Sequence, residues 1–463
     1  MAIDPCHNII LAGGATMRLS DVPAQSLTSL KKLLTWQLPT TAYGPGEYVY
    51  GYVEDIGAQT ITVPRSAATW QELASLPVVD CRSDGRDLGT VASAATPITM
   101  RNDKQLRFME PMWNAFQAGD SIYGVAGPGT GKTVMAIELL RRYGRSAAVV
   151  VHKDFLMEQW TERIHSFWPE ARVGVCQQDR CDTGNTHDIV LCMVQSLSKR
   201  DYTTEFWNSF GVVVWDEFHR MGSEMWNPVL YKFEARVYMM LSATPERHDG
   251  MHNLQFLQGA YPTVVIGESD LTARVETRWT GVEIAKEQYT TRWNGQTNWS
   301  KMISILAAHK DRNLLIAKDI ASAAKAGRKC LVISERLEQL RLLEEWLRLG
   351  LYTKFVTGGQ YVGGRSREQR ALIANCQVIY TTYQLANEGL DIPELSALFV
   401  ASPRWDMVQA VGRILRYTPE KGVLDIPAIV VDYQDNVPEL LGLGTKRRRT
   451  YTQMGCDVRP FRR

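Results

Sequence analysis

One stretch constrains this chain more than any other: Ala126-Gly-Pro-Gly-Thr-Gly-Lys-Thr133. An apolar run, Ser121-Ile-Tyr-Gly-Val125, leads into it, and Val134-Met-Ala-Ile-Glu-Leu-Leu140 follows with helical character. Strand, glycine loop and helix in that order are the setting of a phosphate-binding loop. Glycines let backbone N–H groups close around a phosphate, and the helix N-terminus adds partial positive charge. Gly127, Gly129, Thr130 and Gly131 are expected to form the turn. Lys132 would reach the β- and γ-phosphates, and Thr133 would offer a hydroxyl to Mg²⁺. Ala126 stands where the motif has its first glycine, which still leaves Gly129 and Gly131 for the tight turn. A chance glycine-rich turn is the bland alternative; Lys-Thr correctly placed after a strand and glycine loop weighs against it.

The 463 residues suggest two to four domains, and 45% hydrophobic with 22% charged residues is ordinary for a globular protein. No apolar run approaches the length of a membrane span, and Met1-Ala-Ile-Asp-Pro lacks the basic and apolar regions of a signal peptide. Of the eight cysteines only Cys176 and Cys181 sit close, and no further His or Cys pair completes a zinc site. Free thiols in a reducing cytoplasm are expected. Net charge is +2 but uneven. Residues 441–463 carry seven Lys/Arg against Asp457 alone, so the remainder is near −4. Only this basic C-terminal tail hints at phosphate contacts, and a solvated terminus explains it equally well.

Strand–helix alternation organises the chain. Residues 1–95 read as a small α+β accessory domain: a helix at 24–36, strands at 47–53 and 59–63 around a hairpin at 55–57, and a short helix at 69–76. Tyr43, Tyr48, Tyr50 and Tyr52 could stack on bases or, the better reading, pack the hairpin. Residues 96–266 predict strands at 121–126, 147–153, 172–176, 188–194, 211–215, 236–241 and 263–267. Runs such as Ala148-Val-Val-Val151 and Val212-Val-Val214 fit parallel strands buried on both faces. Residues 267–440 repeat the rhythm, with strands at 274–280, 329–334, 352–357, 377–383, 397–401 and 428–433 and helices at 301–324, 337–349, 367–374 and 406–416. The expected fold class is α/β: two tandem doubly wound parallel-sheet domains, the first with the phosphate loop.

Val212-Val-Val-Trp-Asp-Glu-Phe-His219 places Asp216 and Glu217 at the end of a buried strand, where open α/β sheets hold their ligands. Asp216 there can hold Mg²⁺, and Glu217 can orient or deprotonate an attacking water. Leu241-Ser-Ala-Thr-Pro-Glu-Arg247 follows the next strand, and Ser242 and Thr244 could couple the acidic site to the second domain. In isolation Ser-Ala-Thr is an ordinary turn. Gln409-Ala-Val-Gly-Arg-Ile-Leu-Arg416 reads as a helix with Gln409, Arg413 and Arg416 on one face. Arginines there make sense as fingers that stabilise charge on a γ-phosphate.

With these motifs in this order, the chain resembles the superfamily 2 helicases and translocases of the DEAD/DEAH type. The Leu-Ser-Ala-Thr-Pro-Glu-Arg-His-Asp-Gly250 run points to the XPB/UvsW-like branch, which includes phage branch-migration helicases. The likeness covers roughly residues 98–435 and implies RecA-like domains, ATP and Mg²⁺. It implies an adenine-reading role for Gln105, in Met100-Arg-Asn-Asp-Lys-Gln105, and nucleotide contacts from Gly389 and Asp391 at the end of Tyr380-Thr-Thr-Tyr-Gln-Leu-Ala-Asn-Glu-Gly-Leu-Asp391. It implies strand-backbone contacts from His152 and Lys153, in Val149-Val-Val-His-Lys-Asp-Phe-Leu-Met-Glu-Gln-Trp160, and from Gln195 and Ser196, in Met193-Val-Gln-Ser-Leu-Ser-Lys199. Ser334 and Arg336, in Val332-Ile-Ser-Glu-Arg336, and Thr381 with Thr382 match further strand-gripping positions. Phe218 departs from the usual tetrapeptide, while His219 remains to couple the domains.

The resemblance implies an ATP-driven enzyme that remodels branched DNA by fork reversal, branch migration or unwinding, gripping phosphates without reading sequence. Replication or recombination proteins are its implied protein partners. Two alternatives stand beside it: an RNA helicase, and a nucleotide-gated module acting through a partner. Intact Lys132, Asp216, Glu217 and Arg413 argue against the latter.

Overall fold

The computed structural model describes residues 7–37, 48–94, 96–127, 130–220, 227–243, 263–266, 273–291, 296–349, 356–388, 390, 392, 394–404, 407, 410–412 and 427–459. Two compact units divide the chain, Met1–Gly267 and Glu268–Arg463.

The first unit begins with β1 (Ile9–Leu11), β2 (Ala15–Arg18), α1 (Ala24–Leu33), β3 (Thr35–Gln37), β4 (Tyr48–Tyr50), β5 (Val53–Asp55), β6 (Thr60–Val63), β7 (Val78–Asp80) and α2 (Gly89–Ala94). Five strands form a sheet in the order β5-β6-β2-β1-β7, with a core of its own built on Ile9, Met17, Leu30, Ile61 and Val63. The expected hairpin joins β5 to β6, but β4 pairs with β3 instead. Tyr48 and Tyr50 are exposed, and the Tyr50 ring meets the Tyr52 ring edge-on with 5.6 Å between centres. In place of the helix at 69–76 stand two single-turn 3-10 segments, Arg65–Thr69 and Gln71–Leu73.

The unit continues with α3 (Asp103–Ala118), β8 (Ile122–Ala126), α4 (Lys132–Tyr143), β9 (Ala147–Val151), α5 (Asp154–Phe167), β10 (Val173–Gln177), β11 (Arg180–Cys181), β12 (Ile189–Met193), α6 (Val194–Lys199), α7 (Thr204–Trp207), β13 (Val212–Trp215), α8 (Asn227–Leu230), β14 (Val237–Ser242) and β15 (Thr263–Ile266). The sheet order is β11-β10-β12-β9-β13-β14-β8-β15. Its neighbours are parallel except for the β10–β11 hairpin. The apolar runs explain it: β8, β9, β12, β13 and β14 are buried at every residue. Val212 and Val214 enter one core, Val213 and Trp215 the other, as a two-residue period requires.

Residues 1–95 have their own sheet and core and lie within the first compact unit, packed against the larger sheet that follows. The Arg65 guanidinium lies 3.7 Å from the centre of the Tyr238 ring and donates to the Phe233 carbonyl at 3.0 Å. Burial lowers its pKa to about 10. A Cβ on Gly13 would sit 1.9 Å from the Tyr231 carbonyl oxygen, and one on Gly85, at φ +62°, 2.2 Å from the Gly211 nitrogen. Only glycine permits such approach.

The second unit contains β16 (Arg274–Trp279), α9 (Lys286–Tyr289), α10 (Trp299–Ala308), α11 (Lys310–Lys325), β17 (Lys329–Ser334), α12 (Leu337–Arg348), β18 (Gly358–Tyr361), α13 (Arg367–Ala374), β19 (Val378–Thr382), α14 (Tyr383–Glu388), β20 (Leu395–Val400), β21 (Ile429–Gln434), α15 (Pro438–Gln453) and β22 (Asp457–Val458). Its sheet is parallel, in the order β18-β19-β17-β20-β21-β16-β22. The helical stretch expected at 301–324, in one or two pieces, forms two helices divided at His309, which caps α11. The strand expected at 352–357 falls largely outside the described residues, as does most of the helix at 406–416.

The segment 441–463 is not a loose tail where it is described. It starts inside α15 and returns to the sheet as β22, beside β16. Arg447 is buried, and its guanidinium donates twice to Asp432, each time at 2.8 Å.

Candidate nucleotide-binding site

The phosphate-loop motif sits between β8 and α4. Gly131 caps the helix with φ 91° and ψ 26°, a conformation that favours glycine. A Cβ there would also meet the Gln105 side-chain nitrogen at 2.6 Å. Gln105 is buried and braces the loop. Its Nε2 donates to the Thr130 carbonyl at 2.7 Å, and its Oε1 accepts from the Arg101 backbone at 2.7 Å. Asn102 caps α3 by accepting from the Gln105 backbone N–H at 3.1 Å. Gln105, which the resemblance makes a reader of adenine, here links the start of α3 to the phosphate loop. Thr130 Oγ1 donates to Gly127 O at 2.7 Å, and Lys132 Nζ to Ala126 O at 2.7 Å. Thr133 lies in the first turn of α4. Gly129 is outside the described residues.

The same helix is anchored from below. Glu138 accepts from Arg141 at 2.8 and 2.9 Å, from Arg142 at 2.6 Å and from the Ile98 backbone at 3.2 Å. A buried carboxylate is tolerated because four donor groups from three residues surround it.

Parallel order brings the C-terminal ends of β9, β13, β14 and β8 side by side, which is where the acids stand. Asp216 follows β13. Its Oδ2 accepts from the Trp160 indole N–H at 2.9 Å, and its Oδ1 from the Glu217 backbone at 3.0 Å. Burial, and next the Glu217 charge, push the Asp216 carboxyl up to about 6, against the Trp160 hydrogen bond and the Lys132 charge. Glu217 adopts φ 56°, the left-handed region, which costs a non-glycine residue on the order of 1 kcal/mol or more. Such strain turns its side chain toward His219, whose Nδ1 lies 3.2 Å from Glu217 Oε2 and 3.0 Å from Ser242 Oγ at the end of β14. Thus Glu217, His219 and Ser242, expected separately, form one chain of polar contacts. Thr244 lies outside the described residues.

Beside this edge, Gln195 Nε2 donates to the His152 carbonyl at 2.9 Å, joining the ends of β9 and β12. Ser196 Oγ accepts from the Gln178 backbone at 3.0 Å. Lys153 precedes α5 as its cap residue. In the second unit, Ser334 and Thr381 are fully buried with their hydroxyls engaged, Ser334 to Gln339 and Thr381 to the Tyr361 carbonyl, each at 2.7 Å. As placed they brace the strand ends and present no surface to a ligand strand. Thr382 and Arg336 are part-exposed, and Arg336 is bonded to Ser300 and Ser304 of α10. Gly389, Asp391, Gln409, Arg413 and Arg416 lie outside the described residues.

Sequence reasoning missed Trp160 as a site residue. It closes the quoted run Val149–Trp160, but nothing in that run reveals that its N–H meets a carboxylate 56 residues away. No helix among the described residues is long and apolar enough to cross a membrane. Every described cysteine is free.

Residues 99–247 match the family model of the type III restriction enzyme res subunit. A protein of Acanthamoeba polyphaga mimivirus, provisionally named an ATP-dependent RNA helicase, is 32% identical over 360 residues. That alignment covers 76% of this chain and 66%, about two thirds, of the mimivirus protein. A provisionally named helicase of invertebrate iridescent virus 6 is 23% identical over 72% of this chain and 76% of its own length. Among solved structures, the Lhr helicase of Mycobacterium smegmatis, bound to single-stranded DNA and AMP-PNP, matches at TM-score 0.52 and 16% identity. It covers 80% of this chain and 52% of the Lhr chain, and it supports the RecA-like fold. The chain belongs to the superfamily 2 helicases, a family of ATP-hydrolysing enzymes.

Proposed function

We propose that this protein is an ATP-driven translocase that remodels branched DNA. The observation that carries the reading is the single sheet edge on which Lys132, Asp216, Glu217, His219 and Ser242 converge. The residues fit a magnesium-bound nucleotide: a helix N-terminus behind a positive-φ glycine, a lysine, a buried carboxylate and a second carboxylate turned away from it. Asp216 and Thr133 would hold Mg²⁺. When bound, the ion neutralises charge on the β- and γ-phosphates.

The chain's own residues do the rest. Lys132 exchanges its hydrogen bond to Ala126 O for the β- and γ-phosphates. Glu217 orients the attacking water and takes its proton. His219 and Ser242 fix the Glu217 carboxylate and tie it to the end of β14. Arg413 and Arg416 enter from sequence alone, as residues that stabilise charge developing during hydrolysis. Lys153, Gln195, Arg336 and Thr382 are the proposed contacts to strand phosphates, each worth little singly.

DNA as substrate is supported by the restriction-enzyme family model and by a fold neighbour captured with single-stranded DNA. A second reading, RNA remodelling, is favoured by the name of the mimivirus relative. ATPase rates with single-stranded, duplex, forked and four-way-junction DNA, and with matched RNA, separate the two. The expected result is strongest stimulation by forked or junction DNA; stimulation by RNA alone overturns the DNA assignment. Lys132→Ala is expected to lose most turnover in every case. Arg413→Ala should lower kcat more than ATP affinity, and a change in affinity alone would make it a binding residue.

A further inference from the structure

Trp160 has no role in the nucleotide chemistry described so far. It lies two turns into α5, a 14-residue helix whose cap residue is Lys153. Its ring is almost fully buried in the core beneath the sheet's helical layer. Apolar packing explains a buried indole body, but not where its one polar atom points. Nε1–H ends 2.9 Å from Asp216 Oδ2. The other oxygen, Oδ1, is held by the Glu217 backbone N–H at 3.0 Å. Each carboxylate oxygen therefore has one protein donor, from two different elements, and the plane of the group is fixed. The backbone donor is local to the turn. The indole donor comes from a separate helix, so it can set orientation independently of that turn.

We propose that Trp160 is a positioning residue for the metal-binding carboxylate: its indole N–H holds Asp216 Oδ2 and leaves the outward lone pairs aimed at the cation. The inference rests on the nucleotide-site reading above. It follows the general design in which a ligand is oriented by an outer partner, whose loss costs metal affinity about 10–100-fold. Helix α5 thereby links the Asp216 carboxylate to the end of β9, because the His152 carbonyl just before α5 is itself held by Gln195.

The test uses the full chain and Mn²⁺ as probe, followed by electron paramagnetic resonance in the presence of a non-hydrolysable ATP analogue. Trp160→Phe removes the N–H and keeps an aromatic ring. The expected result is Mn²⁺ affinity weakened about 10-fold or more, with analogue affinity measured without metal unchanged. A purely structural role would disturb both together or neither. Should the Phe variant fold poorly, benzothienylalanine at position 160 replaces the N–H with sulfur at constant shape and decides the matter. Mn²⁺ affinity within two-fold of the parent in a folded variant overturns the proposal. If the parent itself binds no Mn²⁺ with the analogue, or Lys132→Ala leaves analogue binding unaltered, the nucleotide-site reading falls and takes this inference with it.

Discussion

Asp216 and Glu217 show how adjacent acids acquire different tasks. Asp216 is buried, shares its surroundings with a like charge, and titrates near 6. Glu217 is turned aside by its own backbone. Because the Asp216 carboxyl is raised, its protonated form reaches half population at about pH 6 instead of 3.8. Below that pH a proton competes with the cation, so Mg²⁺-nucleotide affinity is expected to fall up to about tenfold per unit. Binding titrations between about pH 5 and 8 check this, and a flat profile refutes it. Glu217→Gln keeps shape but removes the base. Turnover should drop by about 10²–10⁴-fold with nucleotide affinity retained; steady-state ATPase and nucleotide-binding assays read the two effects separately. Unchanged turnover would remove Glu217 from proton transfer. Both acids were evident in the sequence because they end a run of valines. The contacts of Gln105 were not, since its partner, the Thr130 carbonyl, is backbone and carries no sequence signal.

At the scale of elements, the strands read from apolar runs lie within about two residues of their expected positions where they are described, because burial on both faces demands such runs, whereas the short edge strands β11, β18 and β22, which carry no such run, were not expected. The N-terminal segment was harder. Its short strands pair by register, and residues 48–50 chose β3 over β6. What fastens it to the unit is a set of ion pairs. Asp188, fully buried at the start of β12, accepts from Arg172 and from Arg86 of the N-terminal segment. Burial opposes its charge, but the hydrogen bonds from Arg172 and Arg86 outweigh this and hold the carboxyl below 3.8. A lowered acid contributes stability above its unfolded pKa and loses it as pH falls through the folded value. The first unit should therefore weaken below about pH 4. Asp188→Asn should cost about 1–3 kcal/mol near neutrality and blunt that acid dependence. Melting temperatures of both proteins across pH decide it; identical acid profiles would show that Asp188 is not a hinge of acid stability.

At the scale of the molecule, tandem α/β units were apparent from the repeated strand–helix rhythm, and charge was misleading. Counting placed Arg447 in a basic cluster with Lys446, Arg448 and Arg449, whereas the helix turns it inward to Asp432. Burial alone would lower its pKa, yet the Asp432 charge raises it well above the ordinary arginine value. Arg447→Ala strands a buried carboxylate and should cost about 3–5 kcal/mol of stability. Changing Lys446 and Arg449, both exposed, should leave stability intact and reduce the salt slope of strand binding by up to about two. Denaturant unfolding and binding isotherms at several salt concentrations distinguish the two roles. Equal stability losses for buried and exposed positions would reject the division.

Local chemistry declares itself along a chain: glycine spacing before a lysine, acids closing a valine run and hydrophobic period were enough to specify the sheets and the phosphate loop, because each depends on residues near one another. Partners contributed by distant segments were decided only on folding. Trp160 meeting Asp216, Arg65 lying on Tyr238 and Arg447 turning to Asp432 each depend on which strands become neighbours and which helix face turns inward, and packing of the whole unit settles that.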